Sequence, residues 1–152
     1  MVKTTLSVLL LVLVVLVAFF EGRKAYLDYT VRELCAKDGG VKVYETVKLP
    51  RESFNQWGQV AFYRPTLMED ALGPQYRFTW DQTFYRSGNP EVSRLHIQVI
   101  RRSDNKLLGE AVRYGRGGGD IPSPSHGSSF SCPNISGGAD NALLGGIFIK
   151  SN

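Results

Sequence analysis

No charged side chain lies between Lys3 and Glu21. The run from Thr4 to Phe20 is apolar on every side of a helix, whereas a buried helix of a soluble domain keeps one polar face. A basic N-terminus before an apolar core is the order of an export signal. The run sits at the short limit of the roughly 17–25 residues that a membrane span needs. The polar sequence Glu21-Gly22-Arg23-Lys24 ends it. No small-x-small pair marks a cleavage point: Ala18 has Leu16 two residues before it, Gly22 has Phe20, and Ala25 has Arg23. No cysteine follows the run directly, so a lipoprotein site is excluded. The sequence therefore predicts an uncleaved signal anchor over residues 1–22, touching membrane lipid through residues 4–20. Residues 23–152 would form one domain outside the cytoplasm. The charges flanking the run nearly balance, but the short basic N-terminus favours the inside. The expected location is the inner membrane, single-pass, with the C-terminal domain in the periplasm; cleavage would make the protein secreted.

Of the 152 residues, about 130 follow the anchor, one ordinary domain that can hold its own core. With 43% hydrophobic and 21% charged residues, wholesale disorder is not expected. The net charge is +4, but the arginines are scattered and only Arg101-Arg102 and Arg23-Lys24 adjoin. A nucleic-acid binder concentrates its charge in a stripe, so no nucleic-acid partner is expected.

After the anchor, Leu27, Val31, Leu34 and Cys35 fall on one helical face, with Asp28 and Arg32 as an i,i+4 pair beside it. Gly39-Gly40 stops this helix, and Tyr26 and Tyr29 would lie near the headgroups. Residues 41–49 alternate, with Val41, Val43, Val47 and Leu49 on one side and Glu45 as the exception, and read as one strand ended by Pro50. A short helix from Arg51 to Trp57 is possible by composition. From Tyr76, alternation puts Tyr76, Phe78, Trp80 and Phe84 on an inward face, joined by Leu95, Ile97 and Val99 of the next strand. Turns at 87–90 and 103–106 separate three strands. Three short-linked strands form an antiparallel meander with one wet face, and a helix across the dry face completes an α+β domain. The stretch from Gly115 to Gly138 is a long Gly/Ser/Pro-rich late loop without period, and Gly146 to Ile149 reads as a final strand.

Two cysteines in an oxidising compartment predict a Cys35–Cys132 disulfide. A metal site built from these and the two histidines lacks any C-x-x-C spacing, so no metal and no cofactor are expected. Asp120, Ser125, His126 and Ser128 lie close in sequence, but no G-x-S-x-G elbow accompanies them, so a Ser-rich loop with one histidine is the preferred reading over a catalytic set. Gly115 to Gly119 matches no phosphate-binding pattern. Asn134-Ile135-Ser136 matches the glycosylation pattern, which has meaning only in a eukaryotic secretory host. His96 and Arg94 stand on the wet face of the meander. Together with Arg116, Asp120 and His126 they are the candidate partner-binding residues.

The segments from Arg32 to Val47, from Arg102 to Glu110 and from Tyr114 to Asp120 resemble small bacterial or phage-borne membrane-anchored envelope proteins of no known activity. The likeness implies origin and address and carries over no functional residue. The layout is also similar to that of type IV pilins, where an apolar helix runs into a sheet and a late disulfide closes the tail. The pilin leader is absent. The expected function is a non-enzymatic, single-pass envelope protein that acts through binding, as an accessory subunit of an inner-membrane complex or a phage-borne envelope modifier. Its protein partner would sit in the envelope. The alternatives are a periplasmic hydrolase using the late loop, or a cleaved secreted effector or inhibitor.

Overall fold

The computed structural model of the chain describes residues 2–121 and 127–151. The fold is α+β. Helix α1 (Val2–Asp38) is continuous, and every side chain from Thr4 to Phe19 is exposed. Its most apolar window has a mean hydropathy of 2.5, so it is long and apolar enough to cross a membrane. It ends where Gly39 N–H donates to the Cys35 carbonyl at 2.8 Å. A Cβ at Gly39 would lie 2.6 Å from that carbonyl oxygen, and Gly40 follows at φ 127, so both positions require glycine.

A sheet of five strands follows, with β1 (Gly40–Val43), β3 (Tyr76–Arg86), β4 (Glu91–Arg101), β5 (Lys106–Gly117) and β6 (Ser129–Cys132). The order is β1-β5-β4-β3, and β6 pairs with the distal half of β5 beyond β1. All these pairings are antiparallel, and the expected β3-β4-β5 meander is present. A separate ribbon pairs β2 (Val47–Leu49) in parallel with β7 (Phe148–Lys150). Residues 41–49 are thus two strands in two sheets rather than one. The break falls at Glu45, the residue that violated the alternation. The N–H groups of Tyr44 and Glu45 both donate to the Leu108 carbonyl, while the Glu45 carboxylate meets Arg101 at 2.6 Å and Lys106 at 2.5 Å.

The sheet has two dry faces where the sequence suggested one. Strand β5 sends Leu108 and Ala111 to one side and Val112 and Tyr114 to the other, all buried. The first side joins Tyr76, Phe78, Ile97 and Val99 in the main core, and it is covered by α2 (Ala139–Ile147) and residues 54–72. Leu143 and Ile147 of α2 are fully buried there. The second side carries Val92, Val112 and Tyr114, and it is covered by Leu27, Val31 and Cys35 of α1. The expected helical face is therefore correct, but α1 lies on the face that carries Arg94 and His96, opposite Ile97. The apolar residues of β5 on that side make the difference.

Three further expectations change. Trp80 and Phe84 are 55% and 51% exposed, whereas Tyr76 and Phe78 are 6% and 4% exposed. All four share one face of β3, but the covering layer stops beyond Phe78 and the edge strand runs on past it. The helix expected over Arg51–Trp57 shortens to one 3-10 turn at Arg51–Ser53. There the Asn55 side-chain carbonyl accepts from Trp57 N–H at 3.0 Å and Gln59 N–H at 2.9 Å, an Asx turn that competes with helix. The late stretch is also partly structured, since β6 occupies its end, and the expected final strand begins two residues later, at Phe148, because α2 takes Gly146 and Ile147.

Candidate functional site

The residues singled out in the sequence fall mainly along the junction between α1 and the sheet. From Lys24 toward its C-terminus, α1 meets the rest of the domain through four successive links. Lys24 Nζ lies 2.9 Å from Asp120 Oδ1 and 2.8 Å from Glu21. Asp28 Oδ1 accepts from Arg116 Nε at 2.6 Å. Cys35 and Cys132 form a disulfide, with Cα atoms 5.9 Å apart, as the sequence predicted. Asp38 accepts from Tyr114 O–H at 2.7 Å and from Arg94 Nη2 at 2.9 Å.

Arg116 is only 4% exposed, and its guanidinium also reaches the carbonyl of Gly118 and, at 3.3 Å, those of Ser128. It acts as a structural strut between β5 and α1. Asp120 is committed as well: its Oδ2 accepts from Ser128 N–H at 2.5 Å. The Ser128 N–H and the Lys24 ammonium hold its carboxyl down to about 2. Ser125 and His126 lie outside the described residues. With Gly118 N–H also donating to the Ser128 carbonyl at 2.8 Å, both ends of the late loop are closed on each other.

Burial pushes the Asp38 carboxyl up, but the Tyr114 hydroxyl and the Arg94 guanidinium outweigh it and leave the carboxyl below its ordinary value. The Tyr114 hydroxyl moves up, through burial first and the Asp38 carboxylate next. The sequence suggested Asp28 with Arg32, but Asp28 turns to Arg116 and the Arg32 guanidinium stands 4.8 Å over the Phe130 ring. Only a long-range pairing of β5 with α1 could have revealed this, and spacing along one helix does not contain it.

His96 stands on the same sheet face as Arg94 but above the end of α1. Its Nε2 lies 2.8 Å from Glu110 Oε2, and Tyr44 O–H donates to Glu110 Oε1 at 2.6 Å. The Tyr44 hydroxyl, ahead of the His96 contact, draws the Glu110 carboxyl below its ordinary value. Of the candidate partner-binding residues, Arg94, Arg116 and Asp120 are brought together by α1, and His96 stands apart in its own cluster. Among the described residues, no group of His, Cys, Asp and Glu could hold a metal ion.

A third region was missed by sequence reasoning. Beyond the covered part of β3, a groove of about 620 Å³ runs between the edge strand and the 3-10 segment Pro65–Asp70. Trp80, Phe78, Tyr63 and Met68 line it, with Glu69 and Asp140 at its rim. The strong alternation of β3 concealed it, because a strand that continues past its covering layer reads like one that does not. No family model, no curated protein and no solved structure matches this chain.

Proposed function

We propose that this chain is a non-enzymatic, single-pass envelope protein that acts through binding. Its α+β domain would be held in the periplasm at a fixed height above the inner membrane. The observation that carries this reading is the absence of a linker between anchor and domain. One helix runs from the apolar segment into the core, and a disulfide, the buried Arg116–Asp28 pair and the Lys24–Asp120 and Arg94–Asp38 pairs lock it there. A helix fixed in this way transmits the position and tilt of the anchor directly to the domain. That arrangement suits an accessory subunit of an inner-membrane complex or a phage-borne envelope modifier, because either must meet its partner at a set distance from the bilayer. Loops and surfaces held by a rigid scaffold commonly carry such binding.

The test is fractionation followed by protease treatment of spheroplasts. The protein is expected in the membrane pellet after alkaline wash, with its domain digested from the outside. Recovery in the soluble periplasm, or protection of the domain together with cytosolic markers, overturns the reading.

A further inference from the structure

We propose that the groove beside β3 takes an extended, cationic peptide segment of a partner protein, added as a strand to the free edge of β3. The inference rests on the reading of the chain as an anchored binding protein and names the chemistry of what it binds. Three observations carry it.

The first is the open edge. β3 is an end strand of the sheet, and among the described residues no strand pairs with its outer side. At its start the Arg102 Nε donates to the Tyr76 carbonyl at 3.2 Å. From Thr79 onward, alternate residues turn unpaired backbone donors and acceptors outward, a template for another strand. No proline and no inward charge blunts this edge between Thr79 and Tyr85.

The second is the apolar wall. Trp80 at 55% exposed and Met68 at 74% flank the groove, with Phe78 at its floor. Met68 is held at φ 52, which costs a non-glycine residue conformational energy. A strand added at the edge would place every second side chain against this wall, as in known strand-addition recognition.

The third is charge. The chain carries a net +4, yet the carboxylates on the Trp80 side of the groove are Glu69 and Asp140, while Asp81 borders it from the opposite face of β3, in register with His96. Asp140 is engaged by the Tyr63 hydroxyl at 3.0 Å, and neither it nor Glu69 has a cationic side-chain partner among the described residues. Lysine or arginine next to an apolar side chain would meet both the carboxylates and the Trp80 ring.

A second copy of the chain does not fit this edge. As α1 runs from Lys24 to Gly40, its partners on the sheet run from Asp120 back to Val112, so the anchor lies along the strands. Antiparallel self-pairing of β3 needs a two-fold axis normal to the sheet, which would point the two anchors in opposite directions.

The experiment is selection of nine-residue peptides from a random displayed library on the full chain in detergent micelles, with the Trp80→Ala variant used for counter-selection. Peptides pairing an aromatic or aliphatic side chain with Lys or Arg are expected to be enriched. They should lose at least tenfold in affinity on Trp80→Ala and on Glu69→Gln. Methylation of alternate peptide amides should abolish binding, which separates strand addition from adhesion to the wall. No enrichment, enrichment without basic residues, or binding indifferent to either variant overturns the proposal. Two other occupants have their own signatures. A doubled particle mass that Trp80→Ala abolishes assigns the edge to a second copy. A blue shift of Trp80 emission in phosphatidylethanolamine/phosphatidylglycerol vesicles, read in a Trp57→Phe background, assigns it to the bilayer. Selection in micelles is independent of membrane topology, so its failure leaves the anchor reading to the fractionation test.

Discussion

Arg116 of β5 donates from Nε to Asp28 Oδ1 of α1 at 2.6 Å, and this contact joins two residues 88 positions apart across the layer between α1 and the sheet. The arginine is 4% exposed on its side chain and the aspartate 22%, so the pair is largely out of water. An ion taken out of water is tolerated only while its partner remains.

Replacing Arg116 by alanine therefore strands Asp28 and also removes the bonds to Gly118 and Ser128. The expected cost is on the order of 3 kcal/mol, toward the low end for a broken buried pair because Asp28 keeps some solvent. The double variant Asp28→Leu/Arg116→Met should be markedly less destabilised than Arg116→Ala. Thermal unfolding in detergent measures both. A cost under about 1 kcal/mol for Arg116→Ala would show that the pair does not hold the helix.

Phe78 and Trp80 face the same way on β3, yet they should respond very differently to truncation. Phe78 is 4% exposed in the main core, and Phe78→Ala should cost about 3–5 kcal/mol. Trp80 is 55% exposed, and Trp80→Ala should cost under about 1 kcal/mol. Comparable losses at the two positions would mean that Trp80 is covered.

That pair also shows what the sequence could convey. Period-2 alternation assigned both residues to the correct face, because the pleat alone decides faces. It could not say where the covering layer ends, since that depends on α2. The helix itself was hidden: Ala139–Ile147 holds Gly145 and Gly146, which weaken helix propensity, and its burial on Leu108 and Ala111 outweighs that cost. The face of α1 with Leu27, Val31 and Cys35 was legible because helical spacing is local. Its placement on the Arg94 side was not, because it depends on which side of β5 holds Val112 and Tyr114. For the same reason Arg116 and Asp120 read as free surface residues, although each has its partner on α1.

Acid should loosen the junction, and the sign follows from the carboxylates. Asp120 is held down to about 2, and the carboxyls of Asp38, Glu110, Glu45 and Asp104 also lie below their ordinary values. A carboxyl whose folded pKa lies below its unfolded one stabilises fully above the unfolded value, and the gain disappears as pH falls through the folded one. These groups thus add no slope to stability above about pH 5, and the melting temperature should fall between about pH 4 and 2. In Asp120→Asn the acid limb should be shallower. An acid limb of unchanged steepness would show that Asp120 is not charged in its contact with Lys24.

Reduction of the Cys35–Cys132 disulfide should release the edge formed by β6. The bond closes a separation of 97 residues, and in the chain-entropy picture a loop near 100 residues confers up to about 4.7 kcal/mol, an upper figure. Cys132 pairs in register with Tyr114, whose hydroxyl is bound to Asp38 near the end of the same helix, so the bridge and the Asp38 cluster support each other. Adding reductant should lower the unfolding midpoint. The double variant Cys35→Ala/Cys132→Ala should show the lowered midpoint with no further response to reductant. Amide exchange locates the effect: protection should drop over Ser129–Cys132 and the C-terminal half of β5, while β3 and the rest of β4 stay protected. An unchanged midpoint with and without reductant would remove the structural role of the bridge and leave the ion pairs to hold α1.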